Sequence, residues 1–261
     1  MTRDFMIGPS ILMYHSVADN SDDPCSVTVD AFREQISWLS DHGFEVVPLS
    51  SLVRSIQTRS YRNLRKKVVI TFDDGYKDFL SNALPILLDH RASATVFLVT
   101  DMLGAYGSWS KYGTHVPLMS EEEVRCIKAQ GISLGSHTGT HANLTLLNHE
   151  DVQRQLRDSH HRLTLLGESF YTFAYPWGLW SSQIADAVKA AGYECAVAAE
   201  GGQMRPAAAN PFILPRIGVG RDMDLKRFRL YLTRTPIVTE IRRRCRAVLS
   251  LGLGLNRIPL R

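Results

Sequence analysis

Short apolar runs alternate with amphipathic stretches along most of the chain. The strand-like runs are residues 11–14, 44–47, 67–72, 95–99, 133–136, 172–174, 195–198 and 212–214. Between them, apolar residues recur at helical spacing, as in Phe32, Ile36 and Leu39, which follow a good N-cap residue at Thr28. Strands that alternate with helices in this way predict parallel βαβ units and therefore an α/β fold.

The composition is that of a globular protein. The chain has 261 residues, of which 44% are hydrophobic, and no linker-like segment divides it. One domain over residues 1–235 is therefore expected, followed by a basic segment at 236–261 that contains six arginines and one acid, Glu240. The net charge of +4 is small. The arginine cluster by itself could suggest nucleic-acid binding, but the sequence contains no known nucleic-acid-binding motif.

The cysteines and the N-terminal residues indicate a cellular compartment. The four cysteines, Cys25, Cys126, Cys195 and Cys245, are far apart and are read as free thiols of a reducing compartment. The first residues lack the basic start and apolar core of a signal peptide. A cytoplasmic protein is the resulting expectation.

Acidic and imidazole side chains follow two of the predicted strands. Asp73 and Asp74 come directly after the run at 67–72, and His137 and His141 follow the run at 133–136. Asp-Asp-Gly alone is ordinary turn chemistry, and a lone histidine pair is more often a polar surface feature. Together, at the strand ends where α/β sheets place their sites, one carboxylate and two imidazoles favour a divalent metal site. The second carboxylate is then placed to take a proton from an attacking water.

These residues carry a family resemblance. Thr71-Phe72-Asp73-Asp74-Gly75 and Ser136-His137-Thr138-Gly139-Thr140-His141 resemble the first two motifs of the polysaccharide deacetylases of carbohydrate esterase family 4, the NodB-homology group. Residues 173–178 resemble the third motif more loosely, and the resemblance runs from about residue 11 to residue 219. It implies a distorted (β/α)7-type barrel with the site at the C-terminal ends of the strands.

The resemblance also implies an activity and roles. Asp74, His137 and His141 would hold a divalent metal, with zinc favoured and cobalt, iron, manganese or nickel left open. Asp73 would be the general base. The implied reaction is removal of an N-acetyl or related N-acyl group from an amino sugar or glycan, with release of acetate and a free amine.

The chain departs from the family pattern at two positions. The arginine that braces the base in the family is replaced here by Ala174, and the family's Leu-x-His is replaced by Leu214-Pro215-Arg216. Arg216 is the best substitute for the brace. His15, in Tyr14-His15 at the end of the first strand, resembles the acid of a family branch with an N-terminal Tyr-His motif. A hydrogen-bonded structural histidine is the alternative.

The third motif supplies the remaining candidates. Tyr175, Pro176 and Trp177, together with Trp109, are expected to wall the substrate pocket, although tryptophans can equally be packing residues. A backbone N–H, with that of Tyr175 as the candidate, would stabilise the oxyanion.

Two further interpretations of the function remain open from the sequence. The two departures leave room for a catalytically inactive carbohydrate-binding homologue. Intact ligands would also suit an amidase or deformylase acting on a lipid-linked sugar or another amide. The C-terminal segment is read as a basic amphipathic helix, either packed on the barrel or lying on an anionic membrane surface, which would place the protein at the cytoplasmic face of a membrane.

Overall fold

The structure is a computed structural model that describes residues 8–19, 21–109, 116–199 and 202–233. Its strands are β1 (Ser10–Tyr14), β2 (Ser16–Val17), β3 (Ser26–Val27), β4 (Glu45–Val46), β5 (Lys67–Phe72), β6 (Thr95–Leu98), β7 (Tyr106–Gly107), β8 (Val116–Pro117), β9 (Ser133–Ser136), β10 (Thr172–Ala174), β11 (Cys195–Val197) and β12 (Ile217–Gly218). Its α-helices are α1 (Val29–Asp41), α2 (Leu49–Gln57), α3 (Leu84–Asp89), α4 (Glu121–Ala129), α5 (His149–Leu165), α6 (Ser182–Ala190) and α7 (Leu225–Thr233).

The main sheet is parallel and curled. Its strands follow the order β11-β10-β9-β6-β5-β1-β12, and β4 pairs with the start of β5. Leu214 forms a parallel bridge with Val197 of β11, and Ile217 of β12 pairs with Leu12 of β1. The short segment from 214 to 217 therefore connects the two ends of the sheet. This arrangement confirms the predicted distorted (β/α) barrel.

The helices begin where the sequence predicts. The Thr28 side chain accepts a hydrogen bond from the Ala31 N–H at the start of α1, and Ser120 and Glu123 form a complete capping box at the start of α4. Both faces of the central strands are covered, which is why β5 and β6 are almost entirely buried apolar runs.

Two predicted elements differ in the structure. The strand predicted at 212–214 was wrong: only Leu214 forms a bridge, and the last strand is β12, so Arg216 precedes a strand. The helix predicted from about residue 77 starts with a π-helical turn, Phe79–Ala83, before α3 begins. Phe212 and Ile213 pack partly against the core, and Leu214 is a buried core residue, so the hydrophobicity of this run reflects burial more than strand pairing.

Three cysteines, Cys25, Cys126 and Cys195, are free thiols, as predicted. Within the described ranges, no helix combines the length and the apolar character needed to cross a bilayer. The predicted basic helix at 236–261 and the fourth cysteine, Cys245, lie outside the described residues.

Candidate active site

Parallel strands deliver the candidate residues to one end of the sheet. β5 pairs with β6 and β6 with β9, so the residues that follow β5 and β9 lie near one another. Asp73, Asp74, His137 and His141 are all buried there. The N–H of Asp73 donates to the Tyr14 carbonyl (2.9 Å), which continues the pairing of β5 with β1 past the last strand residue.

Asp74, His137 and His141 form one compact group. One potential ligand atom from each side chain lies within 4.8 Å of the others. Oδ1 of Asp74 is 3.6 Å from Nε2 of His137 and 3.4 Å from Nε2 of His141. That oxygen is buried and has no hydrogen-bond partner among the described residues. A buried carboxylate oxygen without a partner is costly, and a cation held by all three atoms would satisfy it.

The protonation of the two histidines fits this role. Nδ1 of His137 lies 2.8 Å from the Ala174 carbonyl oxygen, so that nitrogen must carry the proton and leave the Nε2 lone pair facing Asp74. Burial, with a further contribution from His137, lowers the pKa of His141 to about 3 despite the opposing effect of Asp74. His141 is therefore a neutral imidazole at neutral pH, which is the form that binds metals.

The backbone at these residues is unusual. Asp74 (φ 74°), Thr138 (φ 65°) and His141 (φ 58°) have left-handed conformations, which cost non-glycine residues of order 1–3 kcal/mol each. Surrounding hydrogen bonds hold the second of these turns. Oε1 of Gln155 on α5 accepts from the N–H groups of Gly139 (2.9 Å) and Thr140 (3.2 Å). The turn that carries His141 is thus fixed from a helix outside the sheet.

Asp73 has a different partner. Nη1 and Nη2 of Arg216 each donate to one Asp73 oxygen at 2.7 Å, a bidentate pair. The same guanidinium donates to the Ala198 carbonyl (2.9 Å) and to Oγ1 of Thr71 (3.1 Å). Burial alone raises the pKa of Asp73, but Arg216, with help from His137, more than offsets this and holds the pKa well below its usual range. Asp73 is therefore ionised at neutral pH.

His15 follows β1 on the other side of Asp73 and is half-buried. It lines a cavity of about 300 Å³ that lies between the ends of β1 and β12 and is bounded by Pro24 and Cys25. A Cβ at Gly220 would come within 2.2 Å of the Pro24 carbonyl oxygen, so this wall requires glycine. His15 also contributes to the low pKa of Asp73, which places it in the same electrostatic environment.

Two tryptophans flank His141. Trp109 stacks on its ring at 4.4 Å between ring centroids, and Trp177 meets it edge-on at 4.8 Å. Trp177 also has a positive φ (62°) and leaves 54% of its surface exposed, so it offers an apolar face at the rim.

The rest of the third motif is placed differently from the prediction. Tyr175 is buried, its hydroxyl donates to the Phe212 carbonyl (2.7 Å), and its N–H donates to the Val197 carbonyl (3.3 Å). The structure therefore does not support Tyr175 as the oxyanion donor. Pro176 is buried as well, which leaves Trp177 as the exposed member.

Sequence reasoning missed two residues of the site. Gln155 is one of several polar residues on α5, and nothing in the periodicity distinguishes it. Tyr76, beside Asp74, could have been noticed from its position after the Asp-Asp-Gly motif. Burial and the Asp74 carboxylate both raise the pKa of its hydroxyl, so it is a neutral hydrogen-bond donor next to that carboxylate.

Comparisons with known proteins agree with this geometry. The chain is 28% identical over 227 residues to the YxkH protein of Bacillus subtilis (strain 168), a match that covers 85% of this chain and 75% of that protein. It is 25% identical over 207 residues to the poly-β-1,6-N-acetyl-D-glucosamine N-deacetylase of Staphylococcus aureus (strain N315), which covers 76% of this chain and 69% of that protein.

Solved structures share the fold. The deacetylase PplD of Streptococcus pyogenes, in complex with acetate, superimposes with a TM-score of 0.75 at 23% identity, over 88% of this chain and all (100%) of that one. IcaB from Ammonifex degensii gives a TM-score of 0.75 at 20% identity, over 87% of this chain and 97% of that one. The family model for polysaccharide deacetylase matches residues 60–196, which is more than half of the chain. The chain therefore belongs to the polysaccharide deacetylase family.

Proposed function

We propose that this protein is a metal-dependent hydrolase that removes N-acetyl groups from an N-acetylated amino sugar or glycan. The observation that carries the proposal is the adjacency of two buried groups. Asp74, His137 and His141 offer three ligand atoms to one cation, and the neighbouring Asp73 is held ionised by Arg216. A ligand set beside a separate, positioned carboxylate is an arrangement suited to metal-assisted hydrolysis of an amide.

The three ligand residues fit a divalent metal such as zinc. Their chemistry, two neutral imidazoles and one carboxylate, suits zinc, iron, cobalt, manganese or nickel and does not choose among them. When bound there, such an ion would supply Lewis-acid polarisation of the acyl carbonyl and would acidify a water.

Asp73 is the base in this proposal. Its carboxylate takes the proton of the attacking water, and Arg216 keeps it oriented and unprotonated beforehand. The bidentate contact leaves each Asp73 oxygen with further lone-pair capacity, since a carboxylate offers about four acceptor positions. Arg216 thus takes the place of the arginine that the third motif lacks at Ala174.

His15 is the acid. It follows β1, is close enough to influence the pKa of Asp73 and that of His141, and lines the cavity between the ends of β1 and β12. An imidazolium there donates its proton to the departing amine, so that a neutral amino group leaves. The cavity of about 300 Å³ would receive the sugar that carries this amine, and the exposed face of Trp177 offers a surface for stacking on a sugar ring.

The substrate class follows from the relatives. One relative is a deacetylase of poly-β-1,6-N-acetyl-D-glucosamine, so oligomers of N-acetylglucosamine are the first substrates to test. Lipid-linked sugars and N-formyl sugars belong in the same panel, because the same residues would serve any of these amides.

The test combines metal content with product release. Protein stripped with a chelator and reconstituted with one metal at a time is assayed for acetate and formate release from the panel. We expect release of acetate from an N-acetylglucosamine oligomer only after reconstitution. Stoichiometric metal and saccharide binding without release from any member would instead identify an inactive carbohydrate-binding homologue.

A further inference from the structure

A buried carboxyl group near the site has no part in the chemistry described above. Asp78 lies four residues after Asp74, at the start of the π-helical turn Phe79–Ala83. Its Oδ2 accepts a short hydrogen bond from the Ser16 hydroxyl. Burial raises the pKa of Asp78 to about 6, although the Ser16 hydrogen bond opposes this. Burial of a carboxyl group costs free energy, so the contact between Asp78 and Ser16 indicates that Asp78 has a specific function at this position.

Ser16 is the residue that follows His15. The peptide on the other side of His15 is also anchored, since the Tyr14 carbonyl accepts from the Asp73 N–H at 2.9 Å. Both anchors, Asp73 and Asp78, belong to one short segment, which also contains the candidate ligand Asp74. Both neighbours of His15, Tyr14 through its carbonyl and Ser16 through its hydroxyl, are thus tied to the segment that carries the base and one ligand.

Other contacts hold the strand that begins at Ser16. Nδ2 of Asn82, in the π-helical turn, donates to the Val17 carbonyl at 2.7 Å. The Ser16 hydroxyl also lies 3.2 Å from that of Ser26, where β2 pairs with β3. Asp78 and the π-helical turn that follows it therefore hydrogen-bond to two successive residues of β2, Ser16 and Val17. Asp78 contacts Ser16, the residue next to His15.

We propose that Asp78 is a positioning residue that acts through Ser16 to hold His15 where it can protonate the leaving amine. The inference rests on the proposed function, in which His15 is the acid. The role requires a hydrogen-bond acceptor at position 78 and does not require its charge. A purely structural Asp78 would stabilise β2 and β3 without affecting proton donation by His15 in particular.

The experiment compares four variants of the full-length protein. Asp78→Ala and Ser16→Ala each remove the hydrogen bond, and Asp78→Asn keeps an acceptor oxygen. Ser55→Ala is the matched serine control, because it removes a hydroxyl that, among the described residues, bonds only the Ser51 carbonyl within α2. A positioned acid contributes about 10²–10⁴-fold, so its partial misplacement should lower kcat on the order of tenfold. We expect that loss in both Asp78→Ala and Ser16→Ala, with KM and metal content close to wild type.

The two control variants and a His15→Ala background distinguish an effect through His15 from a general effect on the fold. Asp78→Asn and Ser55→Ala should stay within about twofold of wild-type kcat. In a His15→Ala background, Asp78→Ala should cause no further loss, because it acts only through that histidine. An equal loss in both backgrounds, or wild-type kcat in a folded Ser16→Ala protein, would overturn the proposal. Ser16→Ala decides the question if Asp78→Ala does not fold.

A spectroscopic measurement separates this inference from the proposed function. The imidazole nitrogen resonances of His15, assigned by their loss in His15→Ala, should shift in both Asp78→Ala and Ser16→Ala and stay in place in Ser55→Ala. This readout needs no turnover. If the wild type releases no acetate but the His15 signal shifts in the variants, the proposed function is wrong and the positioning contact is still supported. An unchanged His15 signal in Ser16→Ala would remove the positioning role even in an active enzyme.

Discussion

The guanidinium of Arg216 makes two 2.7 Å hydrogen bonds to the carboxylate of Asp73, from which it is separated by 143 residues of chain. The pair is almost completely buried, and the guanidinium also lies over the Phe97 ring at 5.7 Å. Only the closing segment of the barrel can bring the two together, because Arg216 lies between the Leu214 bridge to β11 and strand β12. The brace of the base is thus part of the barrel closure.

Replacing Arg216 should change both the stability and the base. Arg216→Ala leaves a buried carboxylate without its cation, which should destabilise the fold by about 3–5 kcal/mol. The pKa of Asp73 should rise, so the acidic limb of the pH–rate profile should move to higher pH. Arg216→Lys keeps the charge but loses the bidentate contact, and its shift should be smaller. Denaturant unfolding measures the change in stability, and the pH–rate profile measures the shift of the acidic limb. An unchanged acidic limb in a folded variant would contradict the role of Arg216 as the partner of Asp73.

Replacing a candidate ligand should remove the metal. The wild type should bind about one divalent ion per chain, because three ligand atoms converge on one point. Asp74→Ala and His137→Ala should each lower metal content and abolish acetate release, as measured by elemental analysis and product assay. His160→Ala, on α5 away from the group, is the matched histidine control. Full occupancy in the Asp74→Ala, His137→Ala double variant would exclude this site.

Asp73→Asn should separate the base from the metal. The amide keeps the shape of the carboxyl group and leaves the three candidate ligand side chains unchanged, so the variant should retain its metal. Turnover should fall on the order of 10²–10⁴-fold, since a positioned base is lost. Metal analysis and kcat on the same preparation check this. Activity close to wild type would place the base at another residue.

The pH–rate profile should assign the acid. In the wild type, activity should fall at low pH as Asp73 becomes protonated, and its strongly lowered pKa places that limb well on the acidic side. At high pH, activity should fall as His15 loses its proton. His15→Ala should lower kcat and flatten the basic limb while the protein stays folded. Persistence of an unchanged basic limb would make His15 a structural residue.

Gln155 should control the affinity of the site for its metal. Gln155→Leu removes the acceptor for the Gly139 and Thr140 N–H groups, so the left-handed turn that carries His141 loses its support. Loss of such outer contacts typically weakens metal binding 10–100-fold. Gln155→Glu keeps the acceptor and should bind nearly as well as wild type. Competition with a chelating dye measures the affinities, and equal binding by both variants would refute the role.

Much of the fold could be predicted from the sequence because it is encoded locally. Strands β5 and β6 are short, mostly apolar runs, and the caps at Thr28 and Ser120 lie within a few residues of the backbone groups they satisfy. The candidate ligands could also be recognised, since each follows a predicted strand and parallel strands end at one edge. The apolar residues at 212–214 misled the prediction because only Leu214 forms a bridge, whereas the hydrophobicity of Phe212 and Ile213 reflects packing against the core.

Tertiary structure alone decided the contacts that tune the site. The sequence by itself determined an α/β chain with Asp73, Asp74, His137 and His141 at the ends of strands, because strand and helix periodicity and motif spacing are local properties. The support of the His141 turn by Gln155 and the contact of Ser16 with Asp78 depend on sheet curvature and register. The family resemblance predicted Arg216 as the brace of Asp73, but the bidentate geometry of that pair depends on the same curvature and register. Those are set by the packing of the whole core, and no local pattern along the chain records them.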